Sequence, residues 1–177
     1  MEVQEAIRSR RSVREWADTP VSDEQIKLLV DSGRFSPSPL NSQPWHFVIV
    51  RNKERLGELA EKAQHGSFLA SAPVAIIALV DQEAEIDQWL QEREQHFSSG
   101  ACAVQNMQLA AWDLGLGCCW VTMEESFTKK ILSIPDAYRV LGSLAVGFPK
   151  DKPKPHSEED RHPLESFISW EEFGQNS

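Results

Sequence analysis

Residues 100–122, GACAVQNMQLAAWDLGLGCCWVT, constrain the fold more than any other stretch of the chain. Between 101 and 114 only Gln105, Asn106, Gln108 and Asp113 are polar, and Ala103, Val104, Met107, Ala110, Ala111 and Leu114 share one face at helical spacing. A helix so apolar has to be buried. Ser98 or Ser99 is placed to cap its start, and Gly115 to end it in the left-handed conformation. Its many alanines let a sheet, a second helix or another subunit approach closely. After Gly117 the apolar run 118–121 returns as a strand, which makes the whole stretch a helix–strand core unit.

A chain of 177 residues suits one domain with a full core. Its net charge of −9 argues against nucleic-acid and anionic-membrane partners, which both need a basic surface. The longest apolar run, 73–80, is far shorter than the roughly 20 residues that span a bilayer. The opening MEVQEAIRSRR has no apolar region after its charges, unlike a secretory leader. Cys102, Cys118 and Cys119 are an odd number, and adjacent cysteines do not readily bridge each other, so a reduced, cytoplasmic setting is expected. With neither CxxC nor HxxxH spacing, no metal centre is expected.

From the start of the chain, residues 2–10 form a helix candidate with Val3, Ala6 and Ile7 facing inward. It runs into Arg8-Ser9-Arg10-Arg11-Ser12-Val13-Arg14, four arginines within seven residues of an acidic protein. Planar guanidinium forks suit phosphate, and a serine hydroxyl among them adds a donor. The same residues also suit a solvated helix face paired with some of the 27 acidic residues. Ser22 opens the next helix, with Gln25 completing a capping box and Ile26, Leu29, Val30 and Gly33 on its inner face. The segment Ser36-Pro37-Ser38-Pro39-Leu40-Asn41-Ser42-Gln43-Pro44-Trp45 follows. Three prolines stiffen it while Ser38, Asn41, Ser42 and Gln43 offer donors and acceptors, so it reads as a ligand loop or as a rigid connector.

Residues 45–50 read as a buried strand, 53–63 as an amphipathic helix, and 73–80 as a central strand covered on both faces. The charged stretch 81–95 reads as a solvated helix carrying Ile86, Trp89 and Leu90 inward. A short helix at 124–132 places Phe127 and Ile131 inside and Lys129 and Lys130 at its C-terminal end, where cations suit the dipole. Residues 140–148 form the last long strand, with Gly142 and Gly147 allowing a bulge or a close backbone approach. From 149 on, Pro149, Pro153, Pro155 and Pro163 favour an extended path, yet Leu164, Phe167, Ile168, Trp170 and Phe173 are too apolar to dangle. Such an arm either lies on the partner of a symmetric dimer or docks on its own subunit.

Five segments in this order, Arg10-Arg11-Ser12-Val13-Arg14, residues 36–45, residues 110–120, residues 142–149 (GSLAVGFP) and Arg161-His162-Pro163-Leu164, resemble the nitroreductase family over nearly the whole chain. The resemblance implies an α+β fold, a mixed central β-sheet flanked by helices, in a single domain over 1–177 whose extended C-terminal arm (149–177) reaches the partner subunit. It implies a homodimer with FMN at the interface, NAD(P)H as donor, and nitroaromatics, quinones or similar small molecules as acceptors in a ping-pong hydride transfer through flavin N5. Matched position by position, Arg10 and Ser12 would hold the FMN phosphate and ribityl end, with Arg11 beside them. Arg14 would lie near the N1–C2 edge of the ring as an electrostatic stabiliser. Ser38, Pro39 and Asn41 would come from the second subunit, Val121 and Thr122 would pass the ring near N5, and Arg161 would bind phosphate late in the chain. No side chain is expected to act as acid, base or nucleophile, because the flavin carries the chemistry.

Two departures from the family pattern stand out. Glu159 occupies a place that is often basic, which shifts phosphate binding toward Arg10, Arg11 and Arg14; and the stretch 81–97, which often covers the flavin, is short. Cys118 and Cys119 read as packing residues. Two other readings are a flavin-binding store or sensor with little turnover, and an interaction protein with the same fold and no cofactor.

Overall fold

The computed structural model describes residues 1–154 and 156–175; Pro155, counted above among the tail's prolines, and residues 176 and 177 lie outside them. Along the described residues run α1 (Val3–Ser9), α2 (Asp23–Arg34), β1 (Trp45–Val50), α3 (Lys53–Glu61), β2 (Val74–Asp81), α4 (Gln88–Gln91), α5 (Gln95–Asp113), β3 (Gly117–Val121), α6 (Glu125–Leu132) and β4 (Tyr138–Gly147). The strands form one antiparallel sheet in the order β1-β2-β4-β3. Parallel pairing enters through the bridge from Ser12 to Cys118, which lays the N-terminal segment on the outer edge of β3. The fold is the α+β class with helices on both sheet faces.

Alternation along β2 shows why. Val74, Ile76 and Ala78 pack with Ile26 and Leu29 of α2 and Val104, Met107 and Ala111 of α5, while Ala75, Ile77 and Leu79 pack with Leu56 and Leu59 of α3 and with Ile134. A strand with two apolar faces needs a layer on each, and each large side chain so buried contributes about 1.5–3 kcal/mol. Glycine on α2 brings that helix close to α5. A Cβ added at Gly33 of α2 would stand 3.2 Å from the Met107 side chain, so the two helices cross at close range.

Ser22 and Gln25 do form a reciprocal capping box, and Gly115, at φ +73°, ends α5. Its start differs from expectation. The helix begins at Gln95 after Glu94, and Ser99 is buried, donating its hydroxyl to the Gln95 carbonyl at 2.8 Å rather than capping. Packing accounts for the extra turn: a Cβ at Gly100 would run into Val80 and Leu141, so this end of the helix is pressed against the sheet.

Elsewhere tertiary context also overrides pattern. The solvated helix expected at 81–95 contracts to the four-residue α4, and Trp89 is 60% exposed. Strand β1 is a sheet edge whose only buried residue is Val50. In α1 only Ala6 is buried, leaving Val3 and Ile7 exposed; in α6 the buried position is Thr128, with Phe127 and Ile131 half-buried. The register of β2 against β4 slips beside Gly142, which sits at φ +148°, the irregularity that glycine there permits. Beyond Lys154 the tail carries two short 3-10 turns, and Leu164, Phe167 and Phe173 are 67%, 71% and 103% exposed, so its apolar end does not dock on its own chain.

Candidate functional site

The arginine segment is positioned by β3. The Val13 N–H donates to the Cys118 carbonyl at 3.0 Å, and the Val13 side chain is buried against Gly117, where any Cβ would collide with it. With Val13 turned inward, Ser12 and Arg14 are exposed on either side of it, as strand alternation requires. Both lie near enough to the Cys119 thiol to oppose the rise that burial causes there, and the Arg14 guanidinium lies 5.6 Å from the centroid of the Phe68 ring.

Arg10 and Arg11 behave differently although they are adjacent. The Nε of Arg10 is buried and has no hydrogen-bond partner among the described residues. A guanidinium N–H left so costs about 1–3 kcal/mol, which an anionic acceptor offsets. Arg11 is itself buried, and its guanidinium is occupied: Nε donates to the Lys154 carbonyl at 2.9 Å, and Nη1 to the carbonyls of Arg8, Ser9 and Arg10 at 3.0, 2.9 and 2.6 Å. It closes the C-terminal end of α1 and ties it to the root of the tail. Of the two adjacent arginines expected to face a phosphate, Arg11 is thus the one whose guanidinium the structure occupies with backbone carbonyls.

Burial pushes the Cys118 thiol up to about 12. Burial also raises Cys119, against the opposing pull of Arg14, Ser12 and Arg10. Both thiols therefore stay protonated near neutrality, as packing residues would.

The segment 64–68, which the sequence did not single out, closes the other side. Gln64 bridges Thr122, Gly66 packs beneath the Val121 side chain, and Phe68 faces Arg14. The available signal was Gln64-His65-Gly66-Ser67, a polar turn leading from a helix toward the central strand. The structure thus brings Arg10, Ser12, Arg14, Val121 and Thr122 together around β3.

Ser38, Pro39 and Asn41 lie on the loop after α2. Ser36 in that loop is buried and accepts a hydrogen bond from Asn106 Nδ2 of α5 at 2.7 Å, and Ser38 Oγ accepts from the Gln43 N–H at 3.0 Å. Leu40, Asn41 and Gln43 stand at φ 52°, 56° and 47°, each costing on the order of 1–2 kcal/mol for a residue with a side chain. Arg161 is exposed in the tail, with Nη1 donating to the Asp160 carbonyl at 3.2 Å. No helix among the described residues is long and apolar enough to cross a membrane.

The model of the Nitroreductase family matches residues 7–148. A protein of Methanothermobacter thermautotrophicus, provisionally named an NADH dehydrogenase/NAD(P)H nitroreductase, is 34% identical over 86% of this chain and 80% of its own length. Among solved structures, a provisionally named nitroreductase in complex with FMN from Desulfovibrio desulfuricans is 31% identical, with a TM-score of 0.81 and 98% of each chain covered. An FMN-dependent nitroreductase from Clostridium difficile R20291 is 25% identical, with a TM-score of 0.83 over 97% of this chain and 100% of its own. Because the matched span runs from α1 past β4 and takes in the arginine segment, the loop after α2 and the β3 edge, the chain belongs to the nitroreductase family.

Proposed function

We propose that this chain is an FMN-dependent oxidoreductase that takes electrons from NAD(P)H and passes them to nitroaromatic, quinone or similar small acceptors, and that it works as a homodimer. The observation that carries the reading is the buried Nε of Arg10, without a hydrogen-bond partner among the described residues, near Ser12 and Arg14: a cationic cradle on the edge of a sheet in a protein of net charge −9. Arg10 and Ser12 suit the phosphate end of the nucleotide, and Arg11 braces the segment that presents them. Arg14 is a cation suited to the electron-rich edge of an isoalloxazine, where fixed positive charge favours the reduced form. The backbone of Val121 and Thr122, held by Gln64 and Gly66, would line the ring.

When bound, FMN supplies the two-electron chemistry, accepting hydride from the nicotinamide and yielding it to the acceptor. The chain binds, orients and polarises. Its cysteines near the site stay protonated and offer no nucleophile. Donor and acceptor would use the same space in turn, with substrate protons drawn from solvent. The rigid loop of Ser38, Pro39 and Asn41, and Arg161 in the tail, would serve the site across the dimer interface. Support for that assembly is the apolar surface that one chain leaves open, Val3, Ile7, Leu164, Phe167 and Trp170 among it.

The test is a titration of the purified chain with FMN followed by anaerobic NADPH or NADH. Flavin fluorescence should be quenched on binding and the yellow colour should bleach within seconds. An Arg14→Ala variant should bind FMN more weakly and be reduced at least about tenfold more slowly, since one well-placed donor is commonly worth more than that. Reduction kinetics unchanged in that variant would remove Arg14 from its role, and a chain that takes no FMN would overturn the whole reading.

A further inference from the structure

Arg14 is held differently from the arginines that the structure fixes through carboxylates. Arg34 pairs with Asp31 at 2.6 Å, Arg51 with Asp23 at 2.7 Å and Arg139 with Glu125 at 2.9 Å, so each of those charges is partly neutralised by the group that orients it. Among the described residues no carboxylate pairs with Arg14. Its neighbours are the face of Phe68, 5.6 Å from the guanidinium carbon, and the Cys119 thiol, which lies close enough for Arg14 to oppose the rise that burial causes there. Both neighbours are uncharged. They restrict the guanidinium without cancelling its field.

Restriction matters because an exposed arginine gives up about 2 kcal/mol of rotamer freedom when it is fixed, and a cation that wanders stabilises developing charge poorly. The two holding groups are themselves rigid. Cys119 lies in the sheet, paired across the ladder with Ala145, and is 4% exposed. Phe68 packs on the core, and its carbonyl accepts the Ser71 hydroxyl at 2.9 Å within the 3-10 turn Ser67–Ser71, whose Leu69 is fully buried. That turn is joined to the end of β3 through the bridge from Gln64 to Thr122 and the contact of Gly66 with Val121. Arg14 is therefore flanked by groups from two elements that share one frame. The state of the thiol adds to this: burial keeps Cys119 protonated, so the sulfur beside Arg14 is a neutral acceptor and not a counter-ion.

We infer that Phe68 and Cys119 are positioning residues which hold Arg14 as an unneutralised cation and thereby raise the reduction potential of FMN bound beside it. The inference rests on the reading of this site as an FMN site. It assigns a task to two residues that the arginine segment alone does not identify. It also implies that an acidic residue at either place, although attractive to Arg14, would work against reduction.

The experiment measures the midpoint potential of bound FMN and its dissociation constant in the full chain, for wild type, Phe68→Leu, Phe68→Tyr, Cys119→Ala and Cys119→Ser. Phe68→Leu and Cys119→Ala should lower the potential, each weakening the preference for reduced over oxidised FMN by about tenfold; a displacement of ~1 Å can cost more than that. For a two-electron couple tenfold corresponds to about 30 mV. Phe68→Tyr, which keeps the ring face, and Cys119→Ser, which keeps an acceptor, should stay near wild type. In an Arg14→Ala background Phe68→Leu should produce no further change. Should Cys119→Ala fail to fold, as judged by its thermal transition, the Phe68 variants and the double variant decide alone. Potentials equal to wild type in folded, FMN-loaded Phe68→Leu, or an equal drop without Arg14, would overturn the inference while leaving the FMN site intact. A wild-type chain that takes no FMN would remove the reading beneath it and the inference together.

Discussion

At the scale of single residues, the deciding fact is that neighbouring arginines are oriented differently: Arg11 spends its guanidinium on backbone carbonyls, while Arg10 Nε has no partner among the described residues. The sequence shows that guanidinium groups cluster between 8 and 14, and the chemistry of that cluster is legible from residue type alone. Which of them faces outward is not, because the orientation is set by a strand partner about a hundred residues later. Gly117 makes the point testable. Its missing side chain is what admits Val13 to the β3 edge, so Gly117→Ala should push the whole segment outward. The expected loss is about 1–3 kcal/mol by urea denaturation, as for other overpacked sites, with weaker FMN binding in the same variant. Full FMN affinity in a destabilised Gly117→Ala chain would show that the cradle does not depend on this contact. The left-handed backbone at Leu40, Asn41 and Gln43 was equally hidden, since only the first of them follows a residue, Pro39, that announces a turn.

Among elements, local signals succeeded where a short-range interaction decides the outcome. The Ser22–Gln25 capping box and the stop at Gly115 depend on residues within one turn of each other, and both are present. The start of α5 and the fate of 81–95 depend instead on what packs against them, and pattern misled there. One ion-pair set joins two elements across the second sheet face. Glu125 of α6 accepts from Arg139 Nε of β4 at 2.9 Å, from the Val140 N–H at 3.3 Å, and pairs with Lys129 at 3.3 Å. Burial pushes this carboxyl upward, but these hydrogen bonds outweigh it and hold it below its ordinary value of 4.5. Its contribution to stability is therefore present above pH 4.5 and is lost as pH falls through the lowered folded value. Glu125→Gln should reduce stability at neutral pH and flatten the acid limb of a plot of urea midpoint against pH. A limb as steep as that of wild type would assign the acid sensitivity to other carboxylates.

For the whole molecule, the two-faced sheet was readable because β2 is apolar on both sides, and the family was readable because five segments recur in order. What periodicity along one chain does not disclose is whether its exposed apolar residues meet a partner. If the proposed homodimer is held by this arm, removing everything after Lys154, which takes away Leu164, Phe167, Trp170 and Phe173 together, should leave a monomer with weakened FMN binding, as seen by light scattering and flavin titration. A truncated chain that remains dimeric and yellow would place the interface elsewhere. The hydrogen bond from Arg11 to the carbonyl of Lys154 joins positions 143 residues apart and forms a mechanical joint between the arm and the cradle. A tug on the arm, from an optical trap or after a protease nick, would be transmitted to Arg10 next door before the sheet registers any load.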